Sequence, residues 1–471
     1  VDTGAPAGLP PAASGPTAEL APRTRRRRVV SWALWDWGSA AFNAVVTTFV
    51  FTPWLTSSAF VDPAVVAAAD AGPAGGPAAQ ALQDAVDTHS TWLGWGLTAA
   101  GLVIALLAPV AGARADDSGH RRRWLGLHTG VVVAVTAAMW FVVPAQGALT
   151  RALLLGITLL AVGNIFFELA AVNYNATLAQ VSTPANVGRV SGLGWGAGYL
   201  GGIVLLLVLF VGFIQPEVGW FGVTSEAGLH IRVSMLVAAL WFAVFAVPVL
   251  VAVPEVRASG TRARDGFLGA YRRLWSDVRA LWRDARDTLR FLIASAVYRD
   301  GLAGVFTFGA VIAAGTFGFD ASDVIMFAIA ANVVAGAATI ASGWLDDRLG
   351  AKTVVVASLV GLLVAGGALF FLHDAGQGAF WVFGLLLSAF VGPAQSASRT
   401  LLARVIPPGR ESEIFGLYAT TGRAASFLAP LGFSTFITIG GAQYWGVVGI
   451  LLVLLGGLLL LLPVRMHRTV L

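Results

Sequence analysis

Apolar runs of nearly constant length recur along this chain. They lie near residues 31–56, 92–113, 124–144, 152–177, 191–213 and 231–253. A second set lies near 291–316, 323–345, 353–372, 379–403, 413–437 and 444–464. A helix needs about 20 apolar residues to cross the hydrocarbon of a bilayer. The pattern predicts an all-α integral membrane protein with twelve transmembrane helices in two six-helix bundles. The expected units are a disordered basic tail at 1–28, a first bundle at 29–253, a linker at 254–290, a second bundle at 291–466 and a short tail at 467–471.

Composition narrows the reading. Hydrophobic residues make up 57% of the chain and charged residues 12%, against about 25% charge in ordinary soluble proteins. Cysteine is absent, so neither a disulfide framework nor a thiolate metal site is expected. No cofactor is implied. The net charge of +5 does not indicate a nucleic-acid partner, because the basic residues flank apolar runs. Residues 1–28 are rich in Ala, Pro and Gly and end in Arg25 to Arg28, too polar a segment to bury a core. A signal peptide fits less well, because the following run is long and contains Asp36.

The arginines set a direction. Five lie in the first tail, nine in 254–290, and others at Arg114, Arg121 to Arg123, Arg348, Arg404, Arg410, Arg465 and Arg468, with Lys352 beside them. The alternate loops 57–91, 214–229, 317–322, 373–378 and 438–443 contain no Lys or Arg; Arg151 and Arg232 are the exceptions. The positive-inside rule then places both termini in the cytoplasm, with the protein in the cell membrane. Within the linker, Phe267, Tyr271, Leu274, Trp275, Val278, Leu281 and Trp282 recur at helical spacing with arginines between them. That pattern predicts an amphipathic helix at 265–287, lying along the interface or docking a partner.

Two loops are written twice. Gly112, Asp116 and Gly119, followed by Arg121, recur 231 residues later as Gly343, Asp347 and Gly350, with Arg348 and Lys352. Val181, Pro184 and Gly192 recur 224 residues later as Val405, Pro408 and Gly416. The glycines suit close packing and tight turns. The aspartates are expected where helix N-termini gather, since those ends favour carboxylates. Two parallel halves are the plan of transporters repeated about an axis normal to the membrane.

On these loops the chain resembles the major facilitator superfamily over residues 29–466. Several strings resemble its autophagy-related vacuole-effluxer-like branch: Trp32 to Trp37, Tyr174-Asn175, Gly188 to Gly194, Tyr298 to Gly301, Ser398-Arg399 and Pro407 to Glu411. Ser118 departs from the pattern at a position where a basic residue is common. The resemblance implies a monomeric transporter working by alternating access, and for the branch it suggests amino acid export.

A polar layer marks the candidate site. One charge at a helix centre costs about 2.5–3.5 kcal/mol in lipid, so Asp36, Glu168, Arg299, Asp300 and Arg423 are expected to face a cavity or each other. At 1.5 Å per residue they lie about 10–18 Å from the basic end. Polar stripes at helical spacing join them: Asp36, Ser39, Asn43 and Thr47; Asn164, Glu168 and Asn175; Ser388, Gly392, Gln395 and Arg399. Asp36 is expected to pair with Arg299 or the basic tail, and Arg399 to snorkel to the interface. Arg423 or Arg299 would take a carboxylate; Glu168 or Asp36 would take an amine or a proton. The Gly196-x-Gly198-x-x-Gly201 string is expected to pack helices, because no strand precedes it.

The expected function is secondary transport of a small polar organic solute, amino acids among the candidates, with export favoured and protons as a possible coupling partner. No enzymatic activity is expected, and no P-loop offers an ATP site. A lipid or amphiphile translocase, and a non-transporting sensor signalling through 265–287, are the rival classes.

Overall fold

A computed structural model describes residues 22–73, 75–255, 286–319, 321–406 and 410–465, with isolated positions between 269 and 283. The expected interfacial helix at 265–287 and the motif residues Pro407 to Gly409 lie largely outside the described residues.

The described chain is helical. In the first half, α1 spans Pro22–Ala40 and continues through a π-helical stretch, Ala41–Phe49, into α2, Phe51–Leu55. Next come α3 (Pro63–Ala71), α4 (Pro77–Ser118), α5 (Arg121–Ala138), α6 (Leu149–Ala176), α7 (Leu178–Val181), α8 (Val187–Leu209) and α9 (Leu229–Ala252). In the second half, α10 spans Arg286–Gly315, α11 Ala321–Leu349, α12 Ala351–Phe371 and α13 Gln377–Val405. The chain ends with α14 (Glu411–Ala425), α15 (Leu428–Gly440) and α16 (Gly446–Leu461).

Among the described residues, ten helices are long and apolar enough to cross a membrane. The other two expected spans, 31–56 and 413–437, are interrupted. Each break lies just before a proline, Pro53 in α2 and Pro430 in α15. Proline lacks an N–H and its ring collides with the carbonyl four residues earlier. Pro109, Pro248 and Pro393 nevertheless sit within continuous helices. At the two breaks, hydroxyls take up nearby carbonyls: Thr52 Oγ1 donates to Val46 O at 3.0 Å, and Ser426 Oγ to Arg423 O at 2.8 Å.

Two expected irregular segments are helical. The basic residues Arg23 and Arg25 to Arg28 lie in the first turns of α1, which begins ahead of the expected boundary at 29. The expected loop 57–91 contains α3 and the start of α4. Asp62 caps α3, accepting from Ala64 N at 2.8 Å, and Pro63 follows at the position where its missing donor costs nothing.

In the first half α1 packs between α8 and α9, and α6 between α4 and α5. Its core is aromatic: Trp32, Trp35, Phe42, Tyr174 and Phe242 are all at most 2% exposed. In the second half α10 lies against α16, and α13 against α11 and α12. The halves meet chiefly along two crossings, α4 on α14 and α8 on α11, with smaller contacts of α8 on α13 and α6 on α14. Both main crossings need glycine. A Cβ at Gly416 would lie 2.6 Å from Ala108 O, and one at Gly192 would lie 2.7 Å from Thr339 O.

Candidate functional site

The repeated loops build the first part of the site. Gly119, at φ 66°, ends α4, and Gly350, at φ 89°, joins α11 to α12. Each turn leaves its aspartate aimed at the opposite half. Asp116 accepts from Ser412 N at 3.2 Å and Glu413 N at 2.9 Å, at the start of α14. Asp347 accepts from Gly188 N at 2.7 Å and Arg189 N at 3.2 Å, at the start of α8. A carboxylate there satisfies orphan amides and meets the positive end of the helix dipole. Each motif aspartate therefore caps a helix of the other half.

The cations divide between these knots. Arg121 bonds Asp116 at 2.7 Å and also pairs with Glu411 across the halves. Arg189 bonds Asp347 at 2.8 Å, and Arg404 bonds Asp346 at 2.6 Å. Lys352 donates to Leu462 O and Val464 O, both at 2.7 Å, at the end of α16. Arg348 is exposed. Asp346, Glu411 and Glu413 were not singled out as candidates. Their signal was present: a second carboxylate inside one motif, and two acids opening a helix.

Above the knots lies an ion pair between the halves. Arg399 Nη1 is 3.2 Å from Asp36 Oδ2. This corrects two expectations. Arg399 does not snorkel outward; it is 3% exposed. Asp36 pairs with Arg399, not with Arg299 or the tail. Gly194, on α8, leaves room for the pair: a Cβ there would lie 2.5 Å from Asp36 Oδ2 and 3.0 Å from Arg399 Nη2. Arg299 instead lies over the Tyr418 ring at 3.9 Å and donates to Tyr418 O at 3.2 Å.

Asp300 has a backbone partner. It accepts from Ala429 N at 2.5 Å, capping α15 at the break. The polar layer thus contains one residue that repairs the interruption beside it.

Further along, Arg423 Nη2 is 3.6 Å from Glu168 Oε1, again joining the halves. Their side chains are 38% and 24% exposed. Arg423 also lines a cavity of about 140 Å³ with Thr47, Thr52, Ile104, Leu160 and Asn164. Asn164 Nδ2 donates to its own helix at Leu160 O, leaving its oxygen for another donor. Asn43 is exposed one turn from Thr47. Asn175 accepts from Arg399 at 3.3 Å, and Gln395 is half-buried. The structure thus sorts the expected layer into a closed pair, Asp36–Arg399, and an accessible one, Glu168–Arg423.

The comparisons give the class first. The human organic anion transporter MFSD10 (TETRAN) superposes with a TM-score of 0.69 at 18% identity, covering 94% of this chain and 100% of its own. The proton:xylose symporter XylE superposes at 0.66 with 13% identity, covering 93% and 94%. The fold is that of the major facilitator superfamily, and the chain is a multi-pass membrane protein. An uncharacterized MFS-type transporter of Bacillus subtilis, YxiO, is 26% identical over 92% of this chain and 93% of its own. Residues 180–470 match the family described as vacuole effluxer Atg22 like. The chain belongs to that family of major facilitator transporters.

Proposed function

We propose that this transporter carries a small zwitterionic organic solute, with amino acids the favoured class and export the favoured direction. The observation that carries this reading is the Glu168–Arg423 pair. It joins the two halves and is accessible, and its Arg423 borders a cavity with both polar and apolar walls. Charges held this deep are costly unless function keeps them. Arg423 offers a planar fork for a carboxylate, and Glu168 offers an acceptor for an ammonium. Ile104 and Leu160 supply contact for a short apolar side chain.

In this reading the basic end is cytoplasmic, which the distribution of arginines supports. The helix caps and the Asp36–Arg399 pair then hold the cytoplasmic side closed, and the cavity faces outward. Transport requires the halves to part at the basic end and close at the other. Glu168 is the favoured proton carrier, because it is the carboxylate that meets Arg423 between the halves.

The test is a thermal-shift screen of the purified protein against amino acids and related metabolites, followed by proteoliposome flux of each hit. Binding should weaken in Arg423→Gln and Glu168→Gln. Hits indifferent to both substitutions would sink this assignment. Flux indifferent to a proton gradient and to Glu168→Gln would remove the coupling step.

A further inference from the structure

Three aromatic rings, a carboxylate and a serine surround the Arg399 guanidinium. The guanidinium carbon lies 4.8 Å from the centroid of Trp32, 5.6 Å from that of Trp195 and 5.9 Å from that of Tyr174. Asp36 faces Nη1 at 3.2 Å, and Tyr174 OH donates to the same carboxylate oxygen at 2.9 Å. Ser191 accepts from Nε at 3.0 Å through its hydroxyl and from Nη2 at 2.6 Å through its carbonyl. Aromatic faces around a carboxylate are how proteins bind guanidinium and alkylammonium groups.

Every wall of this cage belongs to the first half: Trp32 and Asp36 to α1, Tyr174 to α6, Ser191 and Trp195 to α8. The guanidinium comes from α13 in the second half. Of these walls, Ser191 is also tied to the occupant's helix, through its hydrogen bonds with Ser396. Any movement that parts the halves at the basic end withdraws Arg399 and leaves Asp36 without its cation. A carboxylate framed by three aromatic faces then offers its charge and those faces to another cation.

We infer that Trp32, Asp36, Tyr174, Ser191 and Trp195 form an organic-cation site, filled by Arg399 while the basic end is closed and by the amine of the solute once it opens. This rests on the zwitterion reading above and adds a second amine-binding position to Glu168. Arg399 then acts as a tethered competitor. The solute displaces it on one side of the cycle, and its return releases the solute on the other.

The probes are ethylguanidinium and ethylammonium. In Arg399→Gln, thermal-shift titration should show saturable stabilisation by one or both, while the unsubstituted protein should respond only at much higher concentrations, because Arg399 competes for the cage. Adding Asp36→Asn should weaken the apparent affinity roughly tenfold or more. A flat titration of folded Arg399→Gln, or one unchanged by Asp36→Asn, overturns the proposal. A proton neutralising Asp36 in place of an organic cation would give that flat result.

A second measurement keeps Arg399 and does not depend on that variant folding. The chain has no cysteine, so Ser396→Cys introduces a single thiol behind Ser191, at a position 2% exposed. Ethylguanidinium or ethylammonium, by holding the basic end open, should raise its labelling rate from that face. A rate unchanged by both overturns the proposal. Neither readout uses solute flux. Flux with a flat titration removes the cage alone; a cage response without flux removes the substrate assignment alone.

Discussion

The two copies of the glycine–aspartate loop do the same work with different security. Asp116 and Asp347 each cap a helix of the opposite half through two backbone amides. Around Asp116 the cation is buried: Arg121 is 3% exposed and also holds Glu411. Around Asp347 the arginine that bonds it, Arg189, is 48% exposed, and a neighbouring pair, Arg404–Asp346, shares the load. Duplication preserved the geometry of the cap while the charges around it diverged. Helix N-termini must be satisfied in both halves, but that requirement does not say which cation accompanies the carboxylate.

The largest expected effect separates the copies. Asp116→Ala leaves Arg121 buried with Glu411 alone and strips two amides of their acceptor, a loss of about 2–4 kcal/mol of closed-state stability. Asp347→Ala should lose less, about 1–2 kcal/mol, near the range of a lost cap, because Arg189 can turn to water. Labelling of Ser396→Cys from the basic face measures both. Equal acceleration by the two substitutions would break the comparison.

Next come the crossings, where the copies should agree. Gly416→Ala and Gly192→Ala each push a methyl against a backbone carbonyl of the other half. About 1–3 kcal/mol of closed-state stability is expected from each overpacked contact. A large difference between them, read by the same labelling, would show that the crossings have also diverged.

Asp346→Ala is a smaller change. It strips the partner at 2.6 Å from Arg404, which still has Asp347 at 3.6 Å. A loss of about 1 kcal/mol is expected, roughly a fivefold faster labelling. The first copy has Ala115 at the matching position, so Ala115→Asp should not strengthen that end.

The smallest effect is in salt. Arg189→Ala should cost less than about 1 kcal/mol, and raising ionic strength should erase it. Arg121→Ala should keep most of its effect at high salt. Matching salt sensitivity would mean that the two ion pairs are equally solvated.

The site was legible in parts. Asp116 and Asp347 stood out because a cap is a local demand repeated at one offset. Glu168 and Arg423 stood out because charge deep in a membrane helix is costly wherever it occurs. Who pairs with whom was not legible. Asp36 and Arg399 are separated by 363 residues, and the match depends on which faces meet when two bundles dock. Asp300 looked like a cavity charge until the break before Pro430 created an amide for it to cap.

The order of apolar runs, the duplicated loops and the excess of arginine on alternate loops are properties of the sequence itself, because span length, turn chemistry and charge cost act residue by residue. That reading gave two halves, an axis between them and a layer of costly polar groups. The tertiary structure alone decided that the first and eleventh spans break, that Arg399 enters a cage made wholly by the other half, and that Glu168 and Arg423 remain accessible. Each of these depends on side chains brought together by helix crossings, where a few ångströms set by glycines determine which charge reaches which partner.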